Sequence, residues 1–527
     1  MKDQMLEYRS VYASGDYAKA SSLLEKSVLK DDKKSLLLWH LEKGTTALSL
    51  QQEDEAINHF QTALELIDRL FTTKLSSKVA SLFINDSSDE FYGASYERSY
   101  AHYYLAQARY ARFVKKADKL DLQGARAAIL AWDSYFSELQ RSASIKTLYQ
   151  TDLMLKIFGG QIHEISEVRN DLQIALQLYK DALTILNRQG GIFSVFNTAS
   201  TDYIKAFEQE GKKPSDKFYV ETPAKKELED FLHFKILSLT KEIRGTDFET
   251  QVKSLGPSEE TKKAALKGPG NVVLVFEEGL IPKKMAKPFS FGLRGAMNAV
   301  GDSGAKNFIA TVGVELVTQF AMNTLGLVPS RSTGPGSFIF AHDVTRLAVQ
   351  EAAIEFELPM IESVPLSSRT ELFILNDKGS VIKRLPLPVI SENGEIAKVV
   401  LEEDVVARYV KTGTRLAVRH IVAIVGAMQV YNQLKGRGGD LLAKPAALAT
   451  YVAATKGLSL LERADTRHWT TLPQTLRMAE LKLAAGNYQA AIGNYFGDKA
   501  PETPTRVLGS FVVKSSGKGL HTFRFNP

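Results

Sequence analysis

Asp465-Thr466-Arg467-His468-Trp469 brings a carboxylate, a guanidinium, an imidazole and an indole into one short run. An acid, a cation and a base held together can move protons on a bound substrate. Consecutive residues, however, point to different sides of the backbone and meet at one atom only through a special turn. Leu472-Pro473 follows and reads as a fixed loop entering a strand. The spacing favours a structural lock, with Asp465 or Arg467 bonding backbone and Trp469 filling a core gap. A ligand-binding loop, or a catalytic one, is the alternative. Glu277-Glu278 reads as a solvated turn rather than a pair of catalytic carboxylates, and His420 as a helix-face histidine. No Gly-rich loop with a following Lys-Ser/Thr succeeds a strand, and Gly436-Arg437-Gly438-Gly439 lacks that lysine. Neither a His-Glu-x-x-His run, a nucleophile elbow nor a calcium loop is present. The residues name no reaction, cofactor or metal, and the expectation is a protein that is not an enzyme.

The elements that must position these residues fall into two kinds. Up to about Gly256 the apolar period is helical. Gly44, followed by Ala56, Phe60 and Ala63, sets a small residue on one helix against a small–large–small face on the next. That is the packing pattern of a tetratricopeptide hairpin of roughly 34 residues. Ala20, Leu24 and Ser27 repeat the offsets after the turn Gly15-Asp16-Tyr17; Ala125, Ile129 and Trp132, and Ala175, Tyr179 and Ala182, repeat them again. The array is degenerate, because Ala106 and Ala125 lie too far apart for a standard unit and Lys74 to Asp89 reads as a loop. Hairpins of this kind bury their apolar face only by stacking, and the stack presents a groove that binds protein. On the helix Tyr92 to Phe113, Tyr96, Tyr100, Tyr103 and Tyr104 recur at helical spacing. They either pack in the core, their hydroxyls reaching backbone or water, or line the partner-binding groove. A helix from Ala224 to Arg244 closes the array, and Thr246 to Gly270 reads as a linker.

After Gly270 the period becomes strand-like. Asn271 to Glu277 is a short β-branched run, and Phe338 to Phe340 and Glu355 to Leu358 look extended. Glu371 to Leu375 and Val381 to Leu385 flank Asn376-Asp377-Lys378-Gly379 as a hairpin. Leu476 to Leu483, Arg506 to Val513 and His521 to Phe525 are further strands, and Val400 to Leu434 and Ala446 to Ala464 are helices. The expected fold is therefore multidomain: an all-α tetratricopeptide-like solenoid over 1–245, a linker over 246–270, and an α+β domain with a mixed or antiparallel sheet over 271–527.

Composition narrows the partners. The 66 Lys and Arg against 60 Asp and Glu leave only +6, and the basic residues are scattered in pairs. A nucleic-acid binder gathers them on one face or arm, so nucleic acid is not expected. The absence of cysteine excludes disulfides and thiolate chemistry. Phe308 to Val328 is long enough to span a bilayer, but Glu315, Gln319 and Asn323 form one polar stripe, as on an amphipathic helix.

Val272 to Lys284, VVLVFEEGLIPKK, together with Glu462 to Tyr488, ERADTRHWTTLPQTLRMAELKLAAGNY, resembles an uncharacterised family of bacterial envelope proteins. Its members look like outer-membrane lipoproteins with tetratricopeptide-like N-terminal halves. The likeness rests on strand–F-E-x-G–L-x-P and on A-D-x-R–x-W–x-x-L-P, and Phe289 to Pro335 departs from it. Genes of the family often lie beside a lipoprotein activator of peptidoglycan synthases. Members usually begin with a lipid-modified cysteine, which this sequence lacks; a processed or truncated start is expected. The resemblance implies a periplasmic, outer-membrane-associated adaptor or scaffold that binds other envelope proteins, within a multiprotein or self-assembling complex. A cytoplasmic scaffold is the alternative placement.

Overall fold

The computed structural model describes residues 2–76, 90–141, 152–189, 197–199, 219–292, 353–362, 369–401, 464–497 and 499–526, with isolated helical positions between 429 and 453. The proposed helix Phe308 to Val328, the extended Phe338 to Phe340, His420, Gly436 to Gly439 and most of the two helices expected after Val400 lie outside the described residues.

The first half is helical. It comprises α1 (Lys2–Ala13), α2 (Tyr17–Glu25), the single turn α3 (Val28–Asp31), α4 (Leu36–Ser49), α5 (Glu53–Ser76), α6 (Ser95–Lys116), α7 (Lys119–Arg141), α8 (Leu153–Glu164), α9 (Arg169–Gln189) and α10 (Pro223–Ile243). Side-chain caps start several of them: Asp16 accepts from Lys19 N, Asp152 from Met154 N and Leu155 N, and Thr222 from Lys225 N ahead of Pro223. Every residue of the four small–large–small faces is buried. Gly44 shows why the pattern is strict, since a Cβ there would stand 2.8 Å from the ring of Phe60.

Two expectations about this half change. The loop expected from Lys74 begins as the last turn of α5. The linker expected over 246–270 instead holds two helices, α11 (Phe248–Leu255) and α12 (Glu259–Leu266). Gly256 ends the first in the left-handed conformation, and Ser258 caps the second by accepting from Thr261 N. Phe248 and Ala265 pack on Leu237 of α10. The Gly-Pro pairs thus punctuate two short helices.

The second half carries the strands β3 (Val272–Glu278), β4 (Lys284–Gly292), β5 (Ala353–Ile361), β6 (Arg369–Leu375), β7 (Val381–Pro386), β8 (Val389–Glu392), β9 (Thr475–Leu481), β10 (Gly486–Tyr495), β11 (Arg506–Val513) and β12 (Gly519–Phe525); β1 (Asn197–Ala199) and β2 (Tyr219–Glu221) pair within the first half. One sheet runs β11-β10-β6-β7 and is antiparallel; the other runs β12-β3-β9-β8 and is mixed, β12 lying parallel to β3. β4 and β5 form a separate two-stranded ribbon. The expected hairpin is β6–β7, closed by Asn376 accepting from the N–H groups of Lys378 and Ser380. A helix over residues 393–401 follows β8.

The alternation along β3 sets the layers. Val272, Leu274 and Phe276 pack with Leu372, Ile374, Ala490 and Phe511 of the other sheet. Val273 and Val275 point the other way and join the helical core. The mixed sheet is therefore covered on both faces, which is why β3 reads as an unbroken apolar run.

Candidate functional site

The helix face that meets the mixed sheet holds the residues that sequence reasoning singled out. Tyr96, Tyr100, Tyr103 and Tyr104 are all buried on α6. Tyr103 and Tyr104 donate to the two oxygens of Glu277, at 3.1 and 3.2 Å. Tyr100 donates to Asn393 Oδ1 at 2.6 Å, and Asn393 donates to the Pro473 carbonyl at 2.8 Å. Tyr100, Tyr103 and Tyr104 meet the chain's own second half, and Tyr96 is buried beside them on α6. Of the two readings of these tyrosines, the burial agrees with core packing; the partner-binding strip is corrected, because no surface remains on the four for a partner. Burial pushes all four phenols well above their ordinary value.

Glu277 and Glu278 are not a solvated turn. They end β3 and are buried. Glu277 also accepts from Arg524 at 3.0 Å, and Glu278 accepts from the buried Arg477 at 2.8 Å. Sequence reasoning missed Arg477 and Arg524 as their partners, because the pairing is made across strands.

The run after Asp465 enters the helical half without regular secondary structure and turns at Thr470 and Thr471. Asp465 and Arg467 pair at 2.8 Å, and Arg467 donates to the Lys34 carbonyl at 3.0 Å. His468 Nδ1 donates to the Thr466 carbonyl at 2.9 Å, and its buried Nε2 has no hydrogen-bond partner among the described residues. Burial lowers the His468 pKa to about 3, so the ring is neutral. Trp469 is fully buried between Phe60 and Tyr104, at 6.1 and 5.5 Å between ring centroids, and its indole N–H donates to Thr45 at 3.1 Å. The four residues are thus dispersed: Asp465 and Arg467 engage each other, while His468 and Trp469 turn inward.

Two buried carboxylates hold this segment. Glu97 Oε1 accepts from Trp469 N at 2.6 Å, and its other oxygen accepts from Ala94 N at 2.5 Å. Glu42 Oε1 accepts from the N–H and hydroxyl of Thr470 at 2.6 and 2.7 Å, and Oε2 accepts from the Thr471 hydroxyl at 2.5 Å and from Tyr8 at 3.2 Å. Burial raises both carboxyl pKa values, and these hydrogen bonds oppose the rise. Arg9 closes the segment from the other side, donating to the carbonyls of Thr470 and Ile281 at 2.9 and 2.7 Å. Glu42 and Glu97 sit on otherwise helical, repeat-like faces, and a charge at an inner position is the signal that could have found them.

A second junction lies further along. Lys235 of α10, Glu164 of α8, Lys518 and Glu480 of β9 alternate in a closed ring of opposite charges, their side chains at most 5% exposed. The Lys235–Glu164, Lys518–Glu164 and Lys518–Glu480 distances are 2.6, 2.6 and 2.7 Å, and Lys235 also bonds Glu480. Tyr179 donates to Glu164, and Gly270 N to Glu480 at 2.6 Å. Gly270 is required there, because a Cβ would stand 2.4 Å from the Leu481 carbonyl oxygen. Burial works against the Glu480 carboxylate, yet the two ammonium groups hold its pKa down to about 2. Every group in the ring has a fixed counter-charge, so it holds the two halves together and offers nothing to a substrate.

Among the described residues, no group of three or more His, Cys, Asp or Glu is arranged to hold a metal ion, and no helix is long and apolar enough to cross a membrane. Comparisons with protein-family models, with curated proteins and with solved structures gave no match.

Proposed function

We propose that this chain is a non-enzymatic interaction scaffold of the bacterial cell envelope, built on a tetratricopeptide-like solenoid whose inner face serves as a cradle for the chain's own α+β half. The observation that carries this reading is the Trp469–Thr471 segment. Its backbone and hydroxyls are held by Glu42 and Glu97, and its indole is packed between Phe60 and Tyr104. Thr470 and Thr471 form a turn, and the helical face takes it up as a groove takes up a peptide, main chain by polar groups and side chain by a pocket. With the inner face engaged in cis, partners meet the outer helix surfaces and the sheet not covered by helices. Leu120 and Leu130 on α7, 68% and 69% exposed, belong to such a surface. The envelope placement rests on the resemblance of Val272–Lys284 and Glu462–Tyr488. The reading of the 465–469 run as a ligand or catalytic loop has less support, because Asp465 and Arg467 bond each other and the neutral His468 is buried.

Photo-crosslinking in cells tests this. A crosslinking residue at Leu120 or Leu130 is expected to capture discrete envelope proteins, and one at Tyr103 to give only intramolecular products. Discrete partners captured from Tyr103, with none from the outer helices, would refute the cradle. Recovery of the natural gene product solely in the cytoplasm would refute the envelope placement.

A further inference from the structure

His40 on α4 and His59 on α5 share a hydrogen bond between their Nδ1 atoms, 3.0 Å apart, across the α4–α5 hairpin. The two rings are tilted by 52° and only partly buried, so solvent reaches them. The pair belongs neither to the cradle nor to the charge ring. We propose that His40 and His59 form a two-imidazole site for a divalent transition-metal ion of the copper(II) or nickel(II) type.

Spacing is the first argument. At metal–nitrogen distances of about 2.05 Å, donors 3.0 Å apart subtend roughly 95° at the metal. That suits adjacent corners of a tetragonal arrangement better than the wider angle of tetrahedral zinc. Rigidity is the second. The hairpin is fixed by the close approach of Gly44 and Phe60 and by the buried Ala56 and Ala63, so the imidazoles stand on two packed helices instead of a loop.

Surroundings supply the third. The far nitrogen of His59 faces the Glu55 carboxylate at 3.8 Å, the side on which a ligating histidine takes an orienting acceptor. The Nδ1–Nδ1 hydrogen bond places a proton on one of the two atoms, and coordination moves it to that ring's Nε2, which for His59 is the nitrogen facing Glu55. Lys43 lies between Glu25 and Glu55, at 2.9 and 3.3 Å, so the local charge is not cationic overall. Two protein donors leave the remaining positions to water or an exogenous ligand, as in open rather than structural sites.

Trp39 reports on the site, its ring 4.9 Å from His40 and 5.2 Å from His59 between centroids. The full-length protein, stripped with a chelator, is titrated with copper(II) in a glycine buffer that competes for weak surface sites. Tryptophan fluorescence, calorimetry and electron paramagnetic resonance are followed. The expected result is saturable binding of about one equivalent, quenching of Trp39, and an axial spectrum with imidazole nitrogen couplings. H40Q/H59Q is expected to lose this site while keeping the wild-type circular dichroism and melting curve. E55Q keeps both imidazoles and is expected to weaken binding by roughly 10-fold. Absence of saturable binding, or one equivalent bound equally well by folded H40Q/H59Q, overturns the proposal. Should the double variant not fold, an unchanged affinity in both H40Q and H59Q overturns it equally.

Discussion

Glu42 Oε1 accepts both the backbone N–H and the hydroxyl of Thr470, at 2.6 and 2.7 Å, across 428 residues of chain. A carboxylate on a helix thereby satisfies the donors of a turn that no neighbouring strand pairs with. Glu42→Ala would leave the Thr470 and Thr471 donors buried without an acceptor. Each such group costs about 1–3 kcal/mol, so a loss of at least about 3 kcal/mol in urea unfolding is expected. A loss under about 1 kcal/mol would mean that water replaces the carboxylate there.

Trp469 should couple the two halves. Trp469→Ala removes a fully buried indole from between Phe60 and Tyr104 and is expected to cost about 3–5 kcal/mol. Calorimetry should then show two resolved transitions where the parent shows one. A single transition, merely shifted, would place the coupling elsewhere.

The charge ring predicts non-additivity. Glu480→Leu alone strands Lys235 and Lys518 with the single counter-charge Glu164, and a loss of about 3–5 kcal/mol is expected. Removing Lys235 as well, as K235M/E480L, leaves the Lys518–Glu164 pair at 2.6 Å intact. The double variant should therefore be more stable than the sum of the two single losses by over about 1 kcal/mol. Strict additivity would refute the ring as a coupled unit.

Stability should fall as the pH drops below about 6.5. The folded-state pKa of His468 is about 3, below the ordinary 6.5. Its contribution is thus fully present above the unfolded value and lost as pH falls toward the folded one. Between pH 6.5 and 4.5 that amounts to about 2–3 kcal/mol, at 1.36 kcal/mol per unit. His40, with a folded value of about 4, adds in the same direction. Glu42 and Glu97 act in the opposite sense: their folded values are raised, so their contribution is present at low pH and declines as pH rises through those values. His468→Asn, which keeps a donor toward the Thr466 carbonyl, should flatten the slope of unfolding free energy between pH 4.5 and 6.5. An unchanged slope would show that His468 is not a major titrating group.

Legibility followed the range of the interactions. The helix faces around Phe60, Trp132 and Tyr179, and the β6–β7 hairpin, are set by offsets of a few residues, and each was readable. Strand β10 was missed because Gly486 and Gly493 dilute its β-branched pattern; packing between β6 and β11 makes the strand. The helices within 246–270 were masked by their Gly-Pro punctuation. At the site, the types were legible and the pairings were not. Tyr103 and Glu277 each stand out in the sequence, but nothing local says that one donates to the other.

The parallel pairing of β12 with β3 has a bearing on biogenesis. β12 supplies Leu520, Phe523 and Arg524 to a sheet whose central strand, β3, is synthesised far earlier. Until Lys518 and β12 have been synthesised, Glu277 lacks Arg524, and the two glutamates of the ring lack Lys518. A nascent chain stopped short of Lys518 therefore carries Glu277 without Arg524, and Glu164 and Glu480 with the single ammonium of Lys235. The junction of the two halves therefore completes its charge pairs and its mixed sheet only once Lys518 and β12 are available, a contact of long sequence separation that forms slowly.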